Sequence, residues 1–328
     1  MSLIGTLNSG VSALTTFARG INVIANNIAN VNTTGFKGSR SEYSDAFSNI
    51  LQQAAPSPAS GLVSNRAALQ IGNGVRLASV TSSHNQGTLT TTGSSTDLGL
   101  SGPGFFRVRD AANNVDFVTR SGDFRLDDQG YLVTSDGFRV QGLSDGAATY
   151  AATDVGGALT YTKTETAPTA VGDVKIDFEI AIGSGLTNST GGAFTDAEVT
   201  ANKPTMRAFT IDAQGNVVIS LSNGESFTRG RVLLMNFRDP NGLTREGKNL
   251  FSGFGAAGPI GGVTMTGANN TPATNGLGRI EAGTLELSNV DLGQEFADMI
   301  IVQRSFQAAS RVITVSDSML EEVINLKR

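Results

Sequence analysis

The sequence has no cysteine and a single histidine, His84. Without cysteine there is no disulfide, no thiolate nucleophile and no Cys-based metal site. A lone histidine excludes a multi-His metal cluster. A Ser-His-Asp triad would have to run through His84, whose neighbours Ser82, Ser83 and Asn85 form no nucleophile elbow. Charge is scarce as well: charged residues are 16% of the chain, against roughly 25% in an ordinary globular domain. The formal net charge is −5, which disfavours nucleic acid and anionic membrane as partners, since both select clustered positive charge. No apolar run approaches the ~18 residues that span a bilayer, so no membrane insertion is expected. The first residues lack a basic region, and Asn8 and Ser9 interrupt any apolar core, which argues against a cleaved signal peptide.

What is present in quantity is glycine, 40 of 328 residues, with many Ser, Thr and Asn. Within the first thirty positions the apolar residues repeat every seven. Leu7, Leu14, Ile21 and Ile28 form one line, and Ile4, Val11, Ala18 and Ala25 a second, offset by three or four. This is an a/d seam over about four heptads. Its flanks carry Ser12, Thr15, Thr16, Asn22, Asn26 and Asn27 in place of Glu and Lys, and Arg19 is the only charged side chain before Lys37. Gly5, Gly10 and Gly20 each cost up to ~1 kcal/mol of helix stability relative to Ala. Two readings fit: an amphipathic helix on its own domain's core, or a helix ordered by neighbouring copies with glycines allowing close approach. The glycine cost and the absence of flanking charge favour the second.

The other end mirrors the first. Leu292, Phe296, Met299, Val302, Phe306, Ala309, Ile313, Ser316, Leu320 and Val323 alternate by three and four. Asp291 suits an N-cap with Gln294 completing a capping-box-like pair, Glu295 adds charge to the first turn, and Lys327 and Arg328 close the end. A helix of about 35 residues spans ~50 Å. Between the ends the period changes. Residues 33–75 are rich in Ser, Ala, Gln and Asn with Pro56 and Pro58, and read as an extended connector. Asp127-Asp128-Gln129-Gly130 and Asp212-Ala213-Gln214-Gly215 sit between apolar runs and predict two hairpins of one kind. Residues 145–205 hold Gly, Ala, Thr and Asp with few large apolar side chains, as an inserted outer β domain would. The expected fold class is therefore α+β: long N- and C-terminal helices pairing as a coiled-coil stalk, with a mostly-β body of one core β domain and an inserted smaller β domain. The segments are 1–32 with 286–328, 33–75, 76–144 with 206–285, and 145–205.

Several motifs stand in a fixed order. The first is Ala25-Asn26-Asn27-Ile28-Ala29-Asn30-Val31-Asn32-Thr33-Thr34-Gly35-Phe36-Lys37. Then come Gly72-Asn73-Gly74-Val75, Gln86-Gly87-Thr88-Leu89, Gly102-Pro103-Gly104-Phe105-Phe106 and Thr119-Arg120-Ser121-Gly122-Asp123-Phe124. Asp239-Pro240-Asn241-Gly242-Leu243, Ser288-Asn289-Val290-Asp291-Leu292 and Gln303-Arg304-Ser305-Phe306-Gln307 complete the series. Together they resemble the bacterial flagellar rod and hook axial protein family over nearly the whole chain except 145–205, with His84 a departure where an aromatic or apolar residue is expected. Of the motif residues, Asn26, Asn27, Asn30, Thr33, Gly35, Phe36 and Lys37 carry the N-terminal signature.

The resemblance implies a structural subunit that self-assembles into a helical tube, no enzyme activity and no cofactor. Its partners would be copies of itself, adjoining rod, hook-cap and hook–filament junction proteins, and the flagellar type III export apparatus. It would sit in the extracellular hook or basal body. The two seams are the expected assembly interfaces. The 145–205 segment and the Ser-Asn-Val-Asp-Leu stretch favour the hook, a flexible joint passing torque from rod to filament. The distal rod subunit is the alternative, and a secreted β-rich adhesin a more remote one. Gly102-x-Gly104 precedes a strand and is no dinucleotide fingerprint. Asp123, Asp127 and Asp128 lack the spacing of a calcium loop.

Overall fold

The computed structural model describes residues 3–54, 65–155, 158–176, 205–222 and 224–326. The chain separates into two compact units, one built from residues 1–32, 37–84 and 290–328, the other from 33–36 and 85–289.

In the first unit the heptad-patterned segment forms helix α1, Leu3–Ala29, which runs through its glycines without a break. Its hydroxyls turn back on their own backbone: Ser12 Oγ donates to the Ser9 carbonyl, and Thr15 Oγ1 to those of Val11 and Ser12. Such bonds leave an outer face that is polar but makes few demands on a partner. At its end Asn30 Nδ2 donates to the Asn26 carbonyl, which also accepts from the Asn30 amide. The second long helix, here α2, spans Leu292–Leu326. Asp291 Oδ1 accepts from the amides of Gly293 and Gln294, as expected of an N-cap. The capping box does not close, because Gln294 Nε2 turns outward to Asp298 Oδ1 at 3.1 Å. Lys327 and Arg328 lie outside the described residues.

The expected connector is in part paired strand. β1, Ser39–Asp45, runs antiparallel to β4, Val75–Ser82, and β2, Ser48–Gln52, pairs with β3, Leu69–Gly72. The weak alternation of these segments hid them. β4 is held by tertiary contact: Thr16 Oγ1 of α1 donates to the Val75 carbonyl at 3.2 Å. Phe17 meets Tyr43 of β1 edge-on at 5.8 Å.

The second unit is a β body. Its strands include β5 (Leu89–Thr91), β6 (Leu98–Ser101), β7 (Phe105–Asp110), β8 (Val115–Thr119), β9 (Phe124–Leu126), β10 (Leu132–Thr134) and β11 (Arg139–Leu143). Then come β12 (Ala147–Val155), β13 (Ala158–Thr166), β14 (Val171–Asp173), β15 (Met206–Ile211), β16 (Asn216–Leu221), β17 (Ser226–Val232) and β18 (Leu234–Met235). β19 (Thr244–Gly247), β20 (Leu250–Ser252), β21 (Arg279–Ala282) and β22 (Thr284–Glu286) complete it. The main sheet runs β15-β16-β17-β11-β7-β8-β20-β19, with β14 and β10 also on β11 and β18 on β7. β6 pairs with β21 and β5 with β22, joining the two sequence ends of the unit.

Period-2 alternation sends the adjacent Phe105 and Phe106 to opposite sides of β7. Phe106 packs on Phe124 at 5.2 Å in the main core, with Leu98, Val108, Val140 and Leu234. Phe105 joins Phe237 and Phe251 in a second cluster. Both expected hairpins are present, and for one reason. Asp127 Oδ1 accepts from Gln129 and Tyr131 amides, Asp212 Oδ1 accepts from Gln214 and Asn216 amides, and Gly130 and Gly215 follow at φ 82° and 80°. Within 145–205, β12 and β13 pair only with each other, whereas β14 joins the main sheet. Residues 177–204 lie outside the described residues.

Candidate functional site

No helix among the described residues is long and apolar enough to cross a membrane. The surfaces that stand out belong to the first unit. There α1 and α2 pack antiparallel, in a register that advances residue for residue. Thr6 Oγ1 meets Ser316 Oγ at 3.3 Å, Gly10 sits on Ile313 and Gly20 on Val302, and Asn27 Nδ2 donates to Glu295 Oε1 at 2.9 Å. A Cβ on Gly10 would come within 2.9 Å of Ile313 Cγ1, so the close approach requires glycine there.

The buried positions of α1 are Gly10, Thr16, Gly20, Ile24 and Asn27. They form a stripe beside the heptad line. Leu7, Leu14, Ala18, Ile21 and Ile28 are half-buried on its shoulder, and Val11 and Ala25 are exposed. The side chain of Ile4 lies outside the described residues. On α2 the anticipated line is the face turned to α1: Ala309 and Ser316 are buried, and Met299, Val302, Phe306, Ile313 and Leu320 are half-buried. Leu292, Phe296 and Val323 of that line are exposed instead. Thr6 already faces Ser316, so little of α1 remains to cover Val323. An ideal helix also drifts off a strict seven-residue repeat.

The sequence reading missed a second apolar stripe on α2. Ile301, Val312, Val315 and Met319 are 46–61% exposed, and Val323 of the first line extends them at 57%. Their spacing of three, four and eleven places them on one face, about a quarter-turn or more from the line that meets α1. It was visible in the sequence but was eclipsed by the stronger first line. A groove of about 500 Å³ opens beside it, lined by Thr6, Ser9, Leu51, Ile71, Asn73 and Val312. The β2–β3 ladder adds Ile50 and Leu69, and Phe47 just before it is 89% exposed.

The N-terminal signature resolves into two sites. In the first unit, Asn27 is 1% exposed and its amide is fully used. Nδ2 donates to the Ser39 carbonyl (2.7 Å) and to Glu295, and Oδ1 accepts from the Ser39 amide (2.9 Å). One side chain thus joins α1, β1 and α2. Burial raises the Glu295 carboxyl above the usual range, the Asn27 hydrogen bond lowers it, and Asp298 raises it further, with a net rise. Asn26 and Asn30 bond to each other on the surface, and Lys37 is buried.

In the second unit, the Gly35 amide donates to the Glu286 carbonyl at 2.7 Å, and the Phe36 amide to the Thr33 carbonyl. Gly35 has φ 66°, and a Cβ there would lie 2.6 Å from the Ser121 nitrogen, so no other residue fits without movement. Phe36 is buried under the Arg245 guanidinium, 5.2 Å from its ring centre. Nearby lies a buried ion pair that the sequence did not disclose. Arg120 Nε donates to Glu286 Oε2 at 2.6 Å, with both side chains at most 4% exposed.

Three family models match the chain: "Flagella basal body rod protein" over residues 7–37, "Flagellar hook protein FlgE/F/G D1 domain" over 99–219, and "Flagellar basal body rod FlgEFG protein C-terminal" over 281–326. The flagellar basal-body rod protein FlgG of Bacillus subtilis is 32% identical over 326 residues, 99% of this chain and 100% of that one. The flagellar hook protein FlgE of Treponema pallidum is 27% identical, covering 98% of this chain and 99% of that protein. Among solved structures, the Helicobacter pylori flagellar hook protein FlgE2 aligns with 60% of this chain and 100% of its own at 9% identity and a TM-score of 0.36.

Proposed function

Because the chain belongs to the flagellar rod and hook protein family, whose members are structural subunits, we propose that it assembles with copies of itself into a tubular segment of the flagellar axis. The observation that carries this reading is the α2 outer stripe, an apolar helix face left uncovered among the described residues. Five side chains about half exposed leave on the order of 400 Å² of apolar surface, or about 10 kcal/mol at ~25 cal/mol per Å². Association costs an estimated ~4–15 kcal/mol, so one such contact is marginal and several neighbours per copy are needed. A heterologous contact that does not close makes an open helical array in which each copy gains those neighbours. The half-exposed line of Leu7, Leu14 and Ile21 on α1, the β2–β3 ladder and its groove supply further contact surface.

Within the axis we carry forward the hook, for the Ser288–Leu292 motif. The distal rod is the second reading. It is favoured by the end-to-end alignment with a FlgG protein, which deprives chain length of its weight as a hook argument. Export through the flagellar apparatus without a cleaved leader, and joints with rod, cap and junction proteins, follow from either reading. Electron microscopy of flagellar bases from a strain lacking the gene separates them: rods without hooks support the hook, truncated rods support the rod, and intact hooks and filaments overturn both.

A further inference from the structure

We propose that the buried Arg120–Glu286 pair is a mechanical clamp, the point at which load on the chain's entries into the β body is passed to its core. This rests on reading the chain as a torque-carrying subunit of the flagellar axis.

The second unit is entered by the short excursion 33–36 and bounded at residues 85 and 289. All these places converge on Glu286. Its carbonyl accepts from the Gly35 amide, its Oε1 from the Gly87 amide at 2.8 Å, and its Oε2 from Arg120. Asn289 fastens the last boundary: its amide donates to the Phe36 carbonyl, and its Nδ2 to the Asn85 carbonyl at 3.0 Å. Arg120 carries the connection inward from β8. Its Nη1 donates to the Gly104 carbonyl, and its Nη2 to those of Leu100 (3.2 Å) and Gly102 (2.6 Å). The fork therefore ties Glu286 to the Gly102-Pro103-Gly104 turn between β6 and β7, at the main core.

Stability alone does not call for this chemistry. A well-packed apolar pair of similar volume often does as well as a buried ion pair, or better. A planar fork adds direction, since each donor fixes one segment at a set distance and angle. Segments held by directional bonds resist sliding past one another, whereas apolar contacts permit it.

Force spectroscopy on the full chain tests this. The sequence has no cysteine, so engineered ones are unique handles. Handles at Arg40→Cys and Gln214→Cys load the 33–36 excursion against the sheet, and a control pair at Ala112→Cys and Gln214→Cys loads the sheet alone. The double variant Arg120→Met/Glu286→Leu keeps the site apolar and filled, and Glu286→Gln removes only the charge. In the double variant, release at fixed load through the Arg40 handle should speed up by about tenfold to a hundredfold, the range for losing charge-assisted hydrogen bonds. The control geometry should stay unchanged, while the thermal midpoint falls, since the apolar pair leaves the Gly87 amide and the Gly102 and Gly104 carbonyls without these partners. Equal weakening in both geometries, no change in either, or failure of the double variant to fold overturns the clamp. Whether wild-type chains form tubes is scored separately by microscopy, so failure of the assembly reading is seen independently of the force result.

Discussion

Replacing Asn27 by alanine removes three hydrogen bonds with one atom group. Two are neutral bonds to the Ser39 backbone, worth ~1 kcal/mol each, and the third, to the Glu295 carboxylate, is worth ~1.5–3 kcal/mol. Alanine returns about 0.6 kcal/mol of helix propensity, and water reaching the half-buried Glu295 restores part of the third bond. The net loss is about 3 kcal/mol. Aspartate at the same position is the sharper test, because it has the shape of asparagine but no donor. It sets an acceptor against the Ser39 carbonyl and a charge against Glu295, so at neutral pH Asn27→Asp should be less stable than Asn27→Ala. Thermal unfolding gives the order. Hydrogen exchange locates the loss, which must appear together in residues 21–29, 39–45 and 292–298. If Asn27→Ala stays within ~1 kcal/mol of wild type, or only one of the three segments loosens, the node does not couple them and the reasoning fails.

Gly35→Ala combines a left-handed backbone with a Cβ 2.6 Å from the Ser121 nitrogen, and should cost the β body about 3 kcal/mol by urea denaturation. Val315→Lys/Met319→Lys should leave the monomer's melting temperature within a degree or two, since surface changes cost little, yet abolish tube formation by electron microscopy. Acid should act oppositely on the two units. Burial pushes the Asp116 carboxyl up, but hydrogen bonds from Arg109 and Arg107 outweigh it and hold the carboxyl below its usual range. Its stabilisation is therefore present above the ordinary carboxylate range and lost as pH falls through the lowered value. Glu295 is raised, so its contribution favours folding at low pH and is lost as pH rises through the raised value. Between about pH 7 and about pH 3, exchange corrected for intrinsic rates should deprotect β7–β8 before residues 292–298.

Features set by local chemistry were legible in the sequence. The Asp-x-Gln-Gly hairpins fold as read because each aspartate bonds amides two and four residues on. The N-cap at Asp291 followed from its position before an apolar period. The heptad lines were legible as patterns, and the α2 line is the one that meets α1, but the α1 residues that receive it were not. The contact is made by Gly10, Gly20 and Asn27, whose role depends on where Ile313, Val302 and Glu295 arrive. Residues 39–52 looked like connector because their alternation is weak, and β1 and its partner β4 are placed by contacts with α1. The Arg120–Glu286 pair spans 166 positions, and nothing near either residue announces the other.

The composition of α2 decides how much of its order comes from its own chain. Only Ala309 and Ser316 of its 35 residues are fully buried, one a methyl group and the other a hydroxyl bonded to the Val312 carbonyl. Against α1 it meets Thr6, Gly10 and Gly20, and its larger inward side chains, Met299, Phe306, Ile313 and Leu320, stay half-buried. A second set of apolar side chains, Ile301, Val312, Val315 and Met319, faces away. Helix formation carries a nucleation cost that tertiary packing normally offsets, and here a substantial part of the available packing energy lies on the outward face. The equilibrium order of α2 should therefore rise with occupancy of that face. A lone chain should lose helicity from Leu326 inward at temperatures where the tube keeps it. Protection at residues 312–326 that is the same in dilute monomer and in tubes would show that the α1 contact alone sustains the helix, and the outward stripe would lose its claim to drive assembly.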